Sequence, residues 1–433
     1  MRGDSNERLT ILSEAEKTAL YGIPDFNDFQ RIEFFALTEA ERSLALQRRG
    51  IVKQVYCLLQ IGYFKAKQAF FQFTLDEVPP EDVAFLLQRY FPGQTLTGAP
   101  LNTKEYYAQR REIVSLFGYR LWTDDDLPAL RDKATLLART DVAPTFLLAE
   151  LMVFLIGQRI VRPGYSTLQT TIRDALTAER ERLEQLVEGA LTGATREVIQ
   201  QLLVRESTLS DLAALKQDAK SFRHGQMKLE RQKRLTLAPL YAIAKTLLPS
   251  LDLSQLNIAY YASLANFYTI YDLRRLKPGQ THLYLLCYAW QRYRQLTDNV
   301  AEAFVYHTRQ LEDGTKAVAN QQAAQIHNER QQATPRVGEL LLLYVDNSLT
   351  DVTPFGTVRR QAFRIMPEEK LRSTGKLLTE KPVSQMDLRW QAMDKQSGLC
   401  TKNLRPLAMA LEFASSSAGG KVWLAALQWM KDI

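Results

Sequence analysis

Along almost the whole chain the apolar residues recur three and four positions apart, the period of a helix with one buried face, so the sequence predicts a mainly α protein. Thr38 followed by Glu41 forms a capping box that opens a helix to about Arg48, which Gly50 stops. A second helix is expected from about Ile51 to Phe64. Pro79-Pro80 opens another through Tyr90, ended by Phe91-Pro92-Gly93. Residues 92–102 read as a linker, followed by helices at about 103–117 and 124–139. Asp124, Asp125 and Asp126 suit the start of the latter, where negative charge meets the helix dipole. Residues 144–160 read as an apolar helix, Val161-Arg162-Pro163-Gly164-Tyr165 as a turn, and Ser166 to about Ala190 as a long helix. From 195 to 313 the pattern stays helical, divided near Pro249 and near Pro278-Gly279. Residues 317–333, rich in Gln, Asn and Ala, read as a polar helix or linker. After Pro335 the texture changes. Leu340–Val345 reads as a strand or buried segment, and VWLAALQWMKDI at the end reads as an amphipathic helix that looks cut, not finished.

Composition narrows the class. A chain of 433 residues, 46% of them apolar, is long enough for two to four domains with proper cores. The net charge of +7 and pI near 9.1 favour a polyanionic partner only weakly when spread over this length. Cys57, Cys287 and Cys400 lie far apart, without a CxxC pair, and read as small core hydrophobes in a reducing cytosol. The four histidines form no close pair, so no metal site is expected. MRGDSNERLT has no apolar core, and its Gly3-Asp4-Ser5 resembles a nucleophile motif only superficially. The most apolar run, Phe146–Ile156, falls short of the ~18 residues a membrane span needs, so a cytoplasmic protein with no membrane partner is expected.

Local charge is more informative. Between Arg42 and Leu75 stand six basic residues (Arg42, Arg48, Arg49, Lys53, Lys65, Lys67), no acidic one, and six aromatics. Such a run suits phosphates, since each Lys or Arg contact releases condensed counterions. Tyr56, Leu59 and Tyr63 are at helical spacing and read as core, with the cations alongside as phosphate contacts or as a snorkelling solvated face. A second constellation spans Phe146 to Leu183: helix, Pro-Gly turn, helix. That is the grammar of a helix-turn-helix, whose second helix enters the major groove by its N-terminal residues. Leu168, Ile172 and Leu176 mark its buried side, which turns Thr167, Thr170, Thr171 and Arg173 outward, with Arg159 and Arg162 flanking the turn. Ser166 and Gln169 also satisfy S-x-x-Q, for which a capping box is sufficient explanation. A third cluster, Lys220 to Arg234, contains Arg223, Lys228 and Arg231 on what reads as one helical stretch. No glycine-rich phosphate loop or paired catalytic carboxylates occur.

At these residues the chain resembles a known family. LTEAERSLALQRRGIVKQVYCLLQIGYF, REIVSLFGYR with the following WTDDD, and RIVRPGYSTLQTTI are similar to the N-terminal part of Tn-three family transposases, which serve replicative transposons. The similarity continues through VDNSLTDVTPFGTVRRQAFRIMPEEKL to LRWQAMDKQSGLCTKNLRPLAMALEF. The resemblance implies tandem helix-turn-helix-like modules at 1–92 and 103–190 that bind the transposon's terminal inverted repeats as duplex DNA. It implies a helical middle region at 195–333 for further DNA contact or homodimerisation. Residues 334–433 would then be the incomplete start of a mixed domain leading to a catalytic domain this chain lacks. Magnesium is expected only there, so no cofactor and no catalytic residue is expected here. The product would be bacterial, nucleoid-associated and inactive alone. Arg48, Arg49, Lys53, Lys65, Lys67, Arg159 and Arg162 are the expected phosphate contacts; Thr167, Thr170 and Arg173 the expected groove readers, with Ser166 and Gln169 also among the expected DNA-binding residues. Arg223, Lys228 and Arg231 are expected to track the backbone. Two alternatives stay open: a helical protein-interaction scaffold with basic patches, and a competitive inhibitor of intact transposase.

Overall fold

A computed structural model describes residues 9–203 and 211–432; the Gly3-Asp4-Ser5 triplet lies outside them. About three-quarters of the chain is helical, and the described residues contain no strand. The chain divides into two units: unit 1 is Met1–Leu212 with Leu240–Gln291, and unit 2 is Ala213–Pro239 with Arg292–Ile433.

Unit 1 opens with α1 (Glu14–Tyr21), α2 (Asp28–Phe34) and α3 (Glu39–Leu46). Each starts on a capping box, Ser13/Glu16, Asn27/Gln30 and Thr38/Glu41, which satisfies two orphan backbone donors at once. Gly50, at φ +94°, turns the chain into α4 (Ile51–Lys67), the centre of the first core. Val55, Leu58, Leu59, Ile61, Tyr63 and Phe64 of α4 are 0–2% exposed, each burial worth about 1.5–3 kcal/mol. Gly62 is required there, because an added Cβ would run into the buried Phe35 ring. Asp82 of α5 (Pro80–Tyr90) is also fully buried, and accepts from Arg31 Nε and Tyr63 Oη, each at 2.8 Å.

α6 (Thr103–Leu116) was expected to begin the second module, but its Ile113 and Val114 belong to the first core. The second core combines α7 (Leu127–Thr140), α8 (Pro144–Gly157) and α9 (Tyr165–Ala190) with Ile11 from the N-terminal segment. Two helix ends share one design. α6 closes with Gly118 N–H on Ser115 O (3.1 Å) and Tyr119 N–H on Val114 O (2.9 Å); α8 closes with Arg159 N–H on Ile156 O (3.0 Å) and Ile160 N–H on Leu155 O (2.9 Å). Both are Schellman ends, which need a left-handed residue just past the helix. Gly118 supplies it at φ +65°, whereas α8 uses Arg159 at φ +56°. The two ends are joined by a lone parallel bridge between Arg120 and Ile160.

The rest of unit 1 includes α10 (Gly193–Leu203), the end of α12 (His224–Leu247), α13 (Gln255–Phe267), α14 (Ile270–Arg275) and the start of α15 (Pro278–Leu343). Asn257 of α13, fully buried, accepts from Val142 N–H (2.9 Å) and donates to Ala138 O (2.9 Å) and Arg139 O (3.0 Å), closing the C-terminus of α7.

Unit 2 takes most of α11 (Asp211–Lys216), the first part of α12 (His224–Leu247) and most of α15 (Pro278–Leu343). It continues with α16 (Phe355–Ile365), α17 (Glu368–Thr379), α18 (Gln385–Lys395), α19 (Ser397–Leu399), α20 (Arg405–Ala410) and α21 (Ala418–Asp432). The polar stretch 317–333 is helix throughout, and Pro335 does not end it. The carbonyl that proline leaves without a donor belongs to Gln331, which is exposed and open to water. Leu340–Val345 is not a strand: it runs from the end of α15 into the following turn, and only Leu343 is buried, with Leu341, Leu342, Tyr344 and Val345 66–71% exposed. A short apolar run cannot distinguish strand from helix by periodicity alone.

Candidate nucleic-acid interface

The turn that joins α8 to α9 is fixed from three sides. Besides the Schellman end, Val161 N–H donates to Arg120 O (2.9 Å), and the Arg159 guanidinium lies 5.4 Å from the Tyr119 ring centre. Arg159 points its charge outward; Arg162 does not. Arg162 Nη2 donates to Leu20 O (2.6 Å) and its guanidinium stacks 4.9 Å from Tyr21, where burial lowers its pKa. The same burial pushes the Tyr21 hydroxyl up to about 12. Arg162 is therefore a clamp on the C-terminus of α1, where a cation meets the negative end of the helix dipole.

The expected capping box at Ser166 and Gln169 is not formed. The helix begins one residue earlier, Gly164 is its N-cap, and no side chain caps it. Gln169 instead donates to Leu9 O (2.6 Å), and Tyr165 Oη accepts from Ile11 and Leu12 N–H at 3.3 Å each. These partners lie more than 150 positions away, so no local motif could announce them. Thr171 is also corrected: it is 2% exposed, because it falls on the stripe Leu168, Ile172 and Ala175 that enters the core. Ser166, Thr170 and Arg173 are exposed, with Thr167 half-buried at the edge. Arg173 pairs with its neighbour Asp174 at 2.8 Å, both side chains about half exposed (49% and 47%).

The acid-free run at 42–75 acquires acids from elsewhere in the fold. Arg48 pairs with Glu112 and Lys53 with Glu105, both carboxylates on α6. Lys65 Nζ donates to Ala36 O (2.7 Å) and lies 3.4 Å from Glu41. Lys67 Nζ donates to Ala19 O and Gly22 O, each at 2.7 Å, and burial, then the Arg162 charge, lowers its pKa. Lys67 and Arg162 thus hold the same helix end. Arg42 and Arg49 are exposed. The aromatics are core: Tyr56, Tyr63, Phe64, Phe71 and Phe73 are all at or below 7% exposure, and Tyr56 stacks on Phe73 at 4.5 Å.

On unit 2 the third basic cluster is not one helix, since α12 begins only at His224 and Arg223 precedes it. Arg223 and Lys228 are exposed and Arg231 is half-buried. Lys233 is committed to the buried Glu230 (2.7 Å) and to Gln217 O (2.6 Å). Among the described residues no three metal-ligating side chains converge, and no helix is long and apolar enough to cross a membrane.

Residues 11–175 match the sequence profile of a family described as "Domain of unknown function (DUF4158)". The matched span runs from the N-terminal segment of the second core to the first turns of α9. No curated protein matches the chain.

Proposed function

We propose that the chain binds duplex DNA as the end-recognition part of a replicative transposase of the kind its segments resemble. In this reading α8, its turn and α9 act as a helix-turn-helix. The observation that supports it is the outward arc of Ser166, Thr170 and Arg173 on the first turns of α9. Behind that arc, Leu168 and Ile172 are fully buried, so a rigid helix offers polar side chains on its N-terminal turns, as groove readout requires. The backbone donors at this helix start have no side-chain cap and suit a phosphate. Arg173 would exchange Asp174 for a base edge. Arg49 and Arg159 are the backbone contacts, with Arg48 and Lys53 available only by giving up Glu112 and Glu105. Lys65, Lys67 and Arg162 serve the fold.

The test is selection of a randomised duplex pool on the full chain, followed by competition binding. One sequence should be enriched, and Arg173→Ala should cost ~1–3 kcal/mol and relax preference at one position. Enrichment of no sequence, or unchanged preference and affinity in Arg173→Ala, would overturn the reading. Exposed Val352, Phe355, Trp423 and Trp429 on unit 2 favour a second reading, a protein-interaction scaffold. It requires duplex affinity indifferent to sequence together with tight binding to an acidic protein.

A further inference from the structure

After Gln396 the chain of unit 2 leaves the ordinary helical path. α19 is a single turn, and Cys400–Leu404 then winds as a π-helical turn before α20. Such turns occur often at functional sites, where the extra residue re-aims its neighbours. This one walls a cavity of about 470 Å3, within the ~300–1,000 Å3 range of small-molecule sites.

The polar lining is His307, whose Nε2–H donates to Phe222 O (2.8 Å), with Gln310, Asp313, Gln396 and Asn403; Leu311 and Leu404 add apolar faces. Gln396 and Asn403 are half-buried, and neither carboxamide has a hydrogen-bond partner among the described residues. Gln310 donates its Nε2 to Tyr306 Oη at 2.7 Å, which leaves its carbonyl as an acceptor. A carboxamide offers a donor and an acceptor side by side, the complement of the N6/N7 edge of adenine. Beside the cavity, sharing His307 and Asn403 with it, is a recess of only about 10 Å3, room for a single water, bordered by His224 and by the cations Lys228 and Arg231. Arg231 Nε is shielded from solvent without a partner. His224 Nδ1–H donates to Lys402 O (2.8 Å), tying the π-turn to the start of α12.

We propose that this is an adenine-nucleotide site. The base lies between the apolar faces with its edge on Gln396 and Asn403. Asp313 accepts from a ribose hydroxyl, and the phosphate lies outside the small recess, at its mouth, against the Lys228 and Arg231 side chains. The ligand is a nucleoside phosphate, either free or as an unpaired nucleotide of a strand. The site lies within unit 2 and is independent of the duplex reading of unit 1.

Cys400 provides the readout. It is half-buried at the cavity wall, whereas Cys57 and Cys287 are buried, so a maleimide modifies Cys400 first in the folded chain. The rate is followed by mass spectrometry with AMP, adenosine, inorganic phosphate or single-stranded oligo-dA. AMP or oligo-dA should slow labelling about tenfold when ~90% of sites are filled, by mass action. Adenosine should protect at higher concentration, and inorganic phosphate should not protect. Asn403→Leu should abolish protection, and Lys228→Ala with Arg231→Ala should weaken AMP but not adenosine. Protection by AMP identifies a free-nucleotide site; protection by oligo-dA without AMP identifies a stranded nucleotide; both support the proposal. Labelling of wild-type protein unaffected by every adenine-bearing probe overturns it. Protection by phosphate equal to that by AMP, or full protection retained in Asn403→Leu, also overturns it.

Discussion

Asn257→Leu is the sharpest test of how unit 1 is assembled. The asparagine side chain serves three backbone groups at the end of α7: Val142 N–H, Ala138 O and Arg139 O. Leucine is of similar size, so it removes those bonds without opening a large cavity. The freed groups cannot heal by extending the helix, because Asp141 is extended at φ −150°, ψ 129° and holds Val142 N–H away from Ala138 O. Leaving a buried polar group unpaired costs about 1–3 kcal/mol. Counting Val142 N–H and Ala138 O in full, and the less buried Arg139 O in part, gives a loss of about 3–5 kcal/mol. That is a large share of the ~5–15 kcal/mol stability of a typical domain. Urea unfolding of the full chain followed by circular dichroism should show the midpoint fall, with faster exchange of the Val142 amide. A loss under about 1 kcal/mol, or an unchanged Val142 amide, would mean that α13 does not close α7 as described.

Other consequences can be measured on the same protein. Burial raises the Asp82 pKa above the ordinary carboxyl value. A raised folded-state pKa gives stability that is present below the unfolded value and lost as pH rises through the folded one. Asp82→Asn should therefore gain on the parent as pH increases from about 4, read by urea unfolding across pH. Arg159→Gly removes the guanidinium while relieving a left-handed backbone worth ~1 kcal/mol or more; it should raise the melting temperature and weaken duplex binding together. Arg49→Ala should flatten the slope of log affinity against log salt by about 0.9, the value of one phosphate contact. Lys67→Met should leave that slope unchanged and instead speed amide exchange in α1, because it deletes two carbonyl bonds at the helix end.

The helices were legible where chemistry is local. Thr38/Glu41, the Pro79-Pro80 start and the Gly50 break lie where the sequence predicts them, because caps and breakers act within three or four residues. Tyr56, Leu59 and Tyr63 are core for the same reason, since helical spacing reports one face. What failed was non-local. Gln169 reads as half of a capping box until Leu9 offers it a carbonyl, and Thr171 reads as outward until Ala175 extends the buried stripe beyond Leu168 and Ile172. The division at 92–102 marks a real loop but not a division of cores, because the apolar face of α6 turns back onto α4. Gln396 and Asn403 carry no sequence signal, since their significance arises from the π-turn that brings them to one cavity.

The run from Arg42 to Leu75 shows most clearly how sequence charge differs from surface charge. Read along the chain, six cations without an acid form a phosphate-binding face. In the fold, Glu41, Glu105 and Glu112 neutralise three of them, and carbonyls at the end of α1 take a fourth. This is what a helix as apolar as α4 requires. With eleven of its positions buried, it can carry cations only at its margins, where neighbouring helix ends and acids compete for them. Cations spent in this way cannot also release counterions from DNA without first breaking a protein contact. Of the candidate cations of unit 1, those left without an acid or carbonyl partner among the described residues are Arg42 and Arg49, at the α3–α4 corner, and Arg159, whose guanidinium faces the Tyr119 ring on its strained turn. At Arg159 the backbone would favour glycine, and the guanidinium's contact within the fold is the Tyr119 ring, 5.4 Å from its centre. An exposed arginine held there against its backbone preference, beside the first turns of α9, is the feature on which the proposed phosphate contact at this corner rests.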